Sequence, residues 1–232
     1  MIGVLTCGVL FGAVAGATAQ ELAPQTTPPA SGAGAVADGD QKPMTNISIT
    51  MIRQLRDKNP PLSLLDLPPP DEGVAGARLA IADNNTTGRF LNQSFKLEIV
   101  ENADVAELIK TAGEQVDAGV GFLVADLDAE PLLKLAEAMA GKPVLILNVG
   151  NPDDSVREEN CRSNVVHLAP SRSMLADALG QYFAWKQWRN WFLITGSHPE
   201  DKLLAEAYRR AAKRFGGKIV EEREFKYESG SR

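Results

Sequence analysis

Residues 120–149 read VGFLVADLDAEPLLKLAEAMAGKPVLILNV, two short apolar runs around one amphipathic segment. VGFLVA and PVLILNV are continuously apolar, as strands buried on both faces of a sheet are. Between them Leu132, Leu135, Ala136 and Met139 follow the i, i+3, i+4, i+7 spacing of one helix face, closed by Gly141 and Pro143. Strand, helix and strand in about thirty residues make the parallel βαβ unit, right-handed at its crossover.

The pattern continues on both sides. Upstream, Val105, Leu108, Ile109, Ala112 and Val116 form a second stripe, with Asp104 and Glu107 spaced as a capping box and Gly119 just beyond the end. Before it, residues 73–102 read as an amphipathic helix, a polar break at Asn84-Asn85-Thr86-Thr87-Gly88, and a strand in which Phe95, Leu97 and Ile99 alternate. Downstream, Leu204, Ala207, Tyr208, Ala211 and Phe215 form a third stripe ahead of Gly216-Gly217. Strand-like runs fall at 47–52, 95–100, 120–125, 144–149, 165–168, 191–195 and 219–225, with helices between most of them. The fold class is α/β with a parallel sheet. Such sheets bind ligands outside the carboxyl ends of their strands, so the informative residues are those that follow each strand.

Composition narrows the function classes. The chain has 232 residues, 44% of them hydrophobic, enough for one sizeable core or two modest ones. A net charge of -6 leaves no basic stripe for a phosphate backbone, and Arg209-Arg210 with Lys213-Arg214 reads as the outer face of a helix. Nucleic acid is not an expected partner. The first nineteen residues, MIGVLTCGVLFGAVAGATA, are apolar or small and end in Ala17-Thr18-Ala19 before Gln20, the pattern of a secretory signal peptide over 1–19. A membrane-spanning helix is the alternative reading of that run. No Lys or Arg precedes Lys42, so a start upstream of Met1 stays open. Residues 20–45 are rich in Pro, Ala, Gly, Ser and Thr and read as a linker. Cys7 lies inside the apolar run rather than after it, against a lipoprotein, and removing the signal leaves Cys161 as the one cysteine, without an internal disulfide.

The strand ends carry no familiar catalytic set. After the first strand come Arg53-Gln54 and a Pro-rich loop to about Asp71, where a dinucleotide fold would have a tight G-x-G-x-x-G turn. No G-x-x-x-x-G-K-[ST] occurs, and TGSHP lacks the second glycine of a nucleophile elbow, with only two histidines in the chain to serve Ser197 as base. Asp126, Asp128, Asp153, Asp154, His198, Glu200 and Asp201 include no spaced pair of metal ligands, and Asp128 and Glu200 stand as helix-start residues. No cofactor, metal or enzyme activity is expected. The tips offer instead a polar lining: Asp126 after the third strand, Asn148, Gly150 and Asn151 after the fourth, and Ser197 and His198 after WFLITG. Donors and acceptors without a reaction fit recognition of a small solute.

The order of elements resembles the type I periplasmic binding proteins of the branched-chain amino acid and amide group, receptors of ABC importers. GVAGARLAIADNNTTGRF is similar to their first helix and the asparagine-bearing turn after it, and NVVHLAPSRSMLADALGQYFAWKQWRNWFLITGSHPEDKLLAEAYRRAAKRFGGKIV to their passage from the first lobe into the second. CRSNVVHLAPSRSMLADALGQYFAWKQW, with GSHPED, resembles the subgroup found beside pyrroloquinoline quinone-dependent alcohol dehydrogenase systems. The resemblance implies two α/β lobes closing on a solute at a hinge: a first lobe over 46–169, a boundary at about 168–172, and an incomplete second lobe over 170–232. It also implies a longer protein, because the chain ends at YESGSR after two second-lobe strands.

Amino-acid receptors of this group place small hydroxyl residues where this chain has Asp126-Leu127-Asp128 and Asn148-Val149-Gly150-Asn151. An extra acid there would repel a carboxylate, so an alcohol-derived, cationic or metal-linked solute fits the lining better than a branched-chain amino acid. The leading expectation is therefore a periplasmic solute receptor that partners inner-membrane ABC permease subunits. A sensory or accessory module of an alcohol oxidation system is the alternative. An enzyme of flavodoxin-like topology is a third class, for which no catalytic set is present.

Overall fold

A computed structural model describes residues 43–56 and 69–226. The signal segment with Cys7, the linker up to residue 42, the Pro-rich loop at 57–68 and the closing YESGSR lie outside the described residues. The chain divides into Met1–Gln41 and Lys42–Arg232, and everything described falls in the second part. Seven strands and five helices follow one another there: β1 (Thr45–Gln54), α1 (Val74–Leu91), β2 (Gln93–Asn102), α2 (Val105–Asp117), β3 (Phe122–Asp126), α3 (Ala129–Ala138), β4 (Leu145–Asn148), β5 (Val165–His167), α4 (Arg172–Trp185), β6 (Asn190–Gly196), α5 (Pro199–Phe215) and β7 (Lys218–Phe225).

The strands form two parallel sheets, one of five strands in the order β2-β1-β3-β4-β5 and one of β6 with β7. Strand order in the first reverses beside β1, where β2 lies to one side and β3 to the other. That is the topological switch at which such sheets hold ligands. One face of this sheet is closed by α2 and α3: Ile52, Leu123, Ala125 and Ile146 pack on Leu108, Ala112, Leu132 and Leu135, all of them buried. The helix stripes read from the sequence supply this core, Val116, Ala136 and Met139 included.

The other face departs from expectation. The apolar strands were expected to be covered on both sides, but among the described residues only α1 lies over the second face, along β2. The remainder opens into a groove of about 820 Å³ between α1 and β4, walled by Met51, Leu97, Val124, Leu147 and Val149.

Two local expectations are corrected. The polar break at Asn84 to Gly88 does not end the helix, and α1 continues to Leu91. Its polar groups are accommodated without unwinding: Asn84 Nδ2 donates to the Ala80 carbonyl at 2.7 Å and Thr86 Oγ1 to the Asp83 carbonyl at 2.6 Å. Asn85 reaches across to β2, donating to the Phe95 carbonyl at 2.9 Å and accepting from the Phe95 N–H at 2.8 Å. The turn comes at Asn92, in the left-handed region at φ 54°, and Gly88 lets β2 start close by, since a Cβ there would fall 2.6 Å from the Gln93 carbonyl oxygen. In α2, Asp104 is the N-cap through Ala106 N–H at 2.8 Å, yet no capping box closes. Asp104 N–H is taken by Asn102 Oδ1 at 2.9 Å, and Glu107 pairs with Lys110.

After β5, Pro170 precedes Ser171, whose Oγ accepts from Met174 N–H at 3.2 Å and caps α4. The loop before β5 grips this junction. Asp154 accepts from Ser171 Oγ at 2.5 Å and from Ser173 Oγ at 2.7 Å, while Arg172 N–H donates to the Pro152 carbonyl at 2.9 Å. Arg157 donates to the carbonyls of Asp153 and Ala169. The second sheet packs through α4 and α5 on a small core of Ala176, Ala207 and Ala211 with Tyr208 and Phe215 beside it. Leu204, read as part of that stripe, is 37% exposed, and Ala205 and Ala212 are buried instead.

Candidate functional site

The carboxyl ends of β1, β3 and β4 carry the densest polar group near the switch point. Arg53 is the last residue but one of β1, its side chain largely buried; Nη1 donates to Glu101 Oε1 at 2.8 Å and Nε faces Asp126 Oδ2 at 3.4 Å. Two residues past the strand, Arg56 places Nη1 3.2 Å from Asp126 Oδ1 and Nε 2.8 Å from Asp128 Oδ1. Gln54 Oε1 accepts from Asp128 N–H at 3.2 Å. Asp126 therefore sits between two guanidinium groups at the mouth of the apolar groove. The two guanidinium groups are shared among three carboxylates, Glu101, Asp126 and Asp128, and Glu72 also lines the groove, so the mouth keeps an excess of acid, as the sequence led us to expect. Arg56 and Asp128 are the exposed pair of the cluster, and a surface pair of this kind exchanges partners at little cost.

Residues at the tip of β4 are organised inward. Asn148 is fully buried, and its amide is occupied: Nδ2 donates to the Asn151 carbonyl at 2.9 Å and lies 2.9 Å from His167 Nδ1, while Oδ1 accepts from Asn151 N–H at 2.9 Å. Because an amide nitrogen only donates, His167 Nδ1 accepts, and the ring is neutral with its proton on Nε2. Burial pushes the His167 pKa down, the Arg157 charge adds to that, and the Val156 backbone partly offsets both. Asn151 is buried too, its Oδ1 accepting from Asp153 N–H at 2.9 Å. Gly150 covers Asp126 so closely that a Cβ would fall 2.3 Å from Asp126 Oδ1.

Of the six residues singled out in the sequence, Asp126, Asn148, Gly150 and Asn151 come together at the ends of neighbouring strands. Only Asp126 of these presents a side chain to the groove; Asn148 and Asn151 shape the loop that holds Gly150 over it. Ser197 and His198 follow β6 in the second sheet and form no part of that groove's wall. The N–H of His198 donates to Asp201 Oδ2 at 3.1 Å, fixing the first turn of α5. Sequence reading passed over Arg53, Arg56 and His167 as site residues. The signal for Arg53 was present, a charged residue at the end of an apolar strand and so at the place the fold reserves for ligands. Among the described residues, no group of three or more His, Cys, Asp or Glu side chains is arranged to hold a metal ion.

Residues 71–231 match the family described as periplasmic binding protein. The chain belongs to the type I periplasmic binding protein family. Members of that family bind solutes and are not enzymes. No curated protein matches the chain. Among solved structures, the chain is similar to a branched-chain amino acid ABC transporter periplasmic ligand-binding protein from Burkholderia xenovorans, at 19% identity and a TM-score of 0.61, over 81% of this chain and 48% of that one. An ABC transporter substrate-binding protein from Desulfitobacterium hafniense in complex with Leu matches at 16% identity and a TM-score of 0.59, over 80% and 52%. A solute-binding protein of an ABC transporter from Rhodopseudomonas palustris, in complex with 3,4-dihydroxybenzoic acid, matches at 11% identity and a TM-score of 0.52, over 77% and 47%. At these identities the likeness is one of fold. The chain spans about half the length of these structures.

Proposed function

We propose that this periplasmic binding protein chain carries the first-lobe half of a solute site and delivers its solute to ABC permease subunits in the inner membrane. The observation that carries this reading is the Arg53, Arg56, Asp126 and Asp128 cluster at the carboxyl ends of β1 and β3, beside the switch point, in a family of solute receptors. Arg56 is the group that would change partners. A solute bearing a neighbouring pair of hydroxyls would take the Arg56 guanidinium from Asp128, while Asp126, held by Arg53, receives any donor the solute brings. Ser197 and His198, at the end of β6, are assigned to the opposing wall. The lobes are divided at about 168–172, and hinge closure would bring the two walls together.

Export through the 1–19 signal to the periplasm and a linker over 20–45 complete this reading. The link to alcohol oxidation rests on the resemblance of CRSNVVHLAPSRSMLADAL at 161–179.

Native mass spectrometry of protein purified without denaturation tests the reading. The expected spectrum contains a small-molecule adduct that is absent from an Arg56→Ala, Asp126→Ala double variant with an unchanged circular dichroism spectrum. An adduct retained by the folded variant would place the solute elsewhere.

A further inference from the structure

All three tryptophans of the chain fall at Trp185, Trp188 and Trp191, within the stretch YFAWKQWRNWF at 182–192. The structure gathers them at one end of the second sheet, where α4 and α5 finish and β6 and β7 begin. Tyr182 meets Trp185 at 5.8 Å and Trp188 at 6.0 Å between ring centroids, and Phe183 meets Trp188 at 5.8 Å and Trp191 at 5.2 Å. This cluster is not a core: Trp185 is 71% exposed and Trp188 56%. It is held in place rather than frayed. Gln187, at φ 62°, ends α4 in a left-handed turn, with Trp188 N–H donating to the Phe183 carbonyl at 2.9 Å and Gln187 N–H to the Ala184 carbonyl at 3.1 Å. That pair of bonds and the Phe183–Trp188 ring contact are the Schellman arrangement, with glutamine where glycine is usual.

Charge is equally segregated there. The chain carries a net charge of -6, yet no Asp or Glu occurs between Asp177 and Glu200 or between Glu206 and Glu221. The two acid-free stretches meet at this pole, where Lys218 N–H donates to the Arg189 carbonyl at 2.6 Å and Arg189 Nη1 to the Phe215 carbonyl at 2.9 Å. Lys186, Arg189, Arg209, Arg210, Lys213, Arg214 and Lys218 belong to them. Lys186 Nζ lies 4.2 Å from the centre of the Trp185 ring, and of the seven cations Arg209, Arg210 and Arg214 have carboxylate partners among the described residues, Glu222, Glu158 and Asp177. Exposed indole and phenol rings with Lys186 lying over Trp185 and Tyr182, in a stretch without acids, are what a bilayer's interfacial zone with anionic headgroups recognises. Among the described residues no helix is long and apolar enough to cross a membrane.

We infer that the pole formed by Tyr182, Trp185, Lys186, Trp188 and Arg189 docks this protein onto an anionic phospholipid bilayer. This pole is at the amino ends of β6 and β7, whereas the solute chemistry of the family is expected at the carboxyl ends. Docking would leave the proposed solute wall at Ser197 and His198 facing away from the lipid.

The test uses the full chain with vesicles of phosphatidylcholine alone or mixed with phosphatidylglycerol, their acyl chains brominated. Since all three tryptophans lie in this stretch, their quenching reports its insertion and is blind to anchoring by any other part of the chain. Expected are exposed-indole emission in buffer, a blue shift with quenching on the phosphatidylglycerol vesicles, and loss of both in high salt. Lys186→Glu should weaken partitioning at least about tenfold, from roughly 1 kcal/mol for each basic group near such a surface. Trp185→Ala on the same exposed helix end should reduce the quenching further, and Lys186→Gln, which is milder to the fold, should give an intermediate loss. Unquenched tryptophans, equal quenching by neutral vesicles, variants that partition as the parent does, or emission already blue-shifted without lipid would each overturn the assignment.

Discussion

The two sheets solve the same packing problem with different side chains. Around the five-stranded sheet, Ile52, Leu108, Leu123, Leu132, Leu135 and Ile146 are all at or below 1% exposure, and each contributes a full aliphatic side chain. Around β6 and β7 the buried cluster is Ala176, Ala207 and Ala211, while Phe192 and Ile194 stand 56% and 63% exposed on the far side. Burying alanine removes little apolar surface from water, so the first region holds most of the hydrophobic stabilisation and the second depends on helix contacts and on its attachment at residues 151–173. The first region is accordingly built to hold fixed charges at its strand ends. The second is built to open at lower cost.

The largest effect expected is in the first core. Leu135→Ala should destabilise the chain by about 2–5 kcal/mol, because the site is wholly enclosed, whereas Leu204→Ala on α5 should stay within about 0.5 kcal/mol. Urea unfolding followed by circular dichroism compares the two, and equal losses would erase the distinction between the regions.

Next comes the attachment. Asp154→Ala removes the acceptor of Ser171 Oγ and Ser173 Oγ and should cost about 1–3 kcal/mol. If the second region is the weaker, the loss should fall there, read as faster amide exchange in α4 and β6 with little change in β1 and β3.

A smaller effect is expected with pH. The folded pKa of His167 is lowered from 6.5, so the neutral ring stabilises the fold above that pH, and the contribution fades as pH falls from 6.5 through the folded value. His167→Gln, which keeps an acceptor for Asn148 and does not titrate, should flatten the melting temperature over that window. An unchanged slope would remove His167 from the account of the β4 tip.

Smallest is the turn at the aromatic pole. Gln187→Gly should raise stability by about 0.5–1 kcal/mol by relieving a left-handed conformation, measured in the same urea experiment.

Periodicity made the fold legible. All seven strand-like runs are strands, and those of the sheet's centre were the plainest, because continuous apolar runs bounded by Gly, Pro and helix caps leave few other arrangements. Where reading by polarity failed, at Asn84 to Gly88, side chains that look like a turn bond back to the helix or across to β2, which only the tertiary contact reveals. The site was partly legible. Position after a strand picked out Asp126, but no pattern says that Asn148 and Asn151 point inward to each other, or that Arg56 crosses to Asp126 and Asp128, 70 and 72 residues away. Leu204 illustrates the same limit: the helical stripe was correct in phase, yet which residues of it were covered depended on the small cluster facing α5.

The most direct test of the central claim, that the strand ends of the first region bind the solute, is amide hydrogen exchange. Protein stripped of its co-purified solute by unfolding and refolding is compared with the same protein after the solute is returned. Bound solute should slow exchange chiefly at Gln54 to Arg56, Asp126 to Asp128 and Gly150 to Asn151, with weaker protection at Ser197 and His198. Protection confined to other segments, or none at these strand ends when the solute is bound, would contradict it.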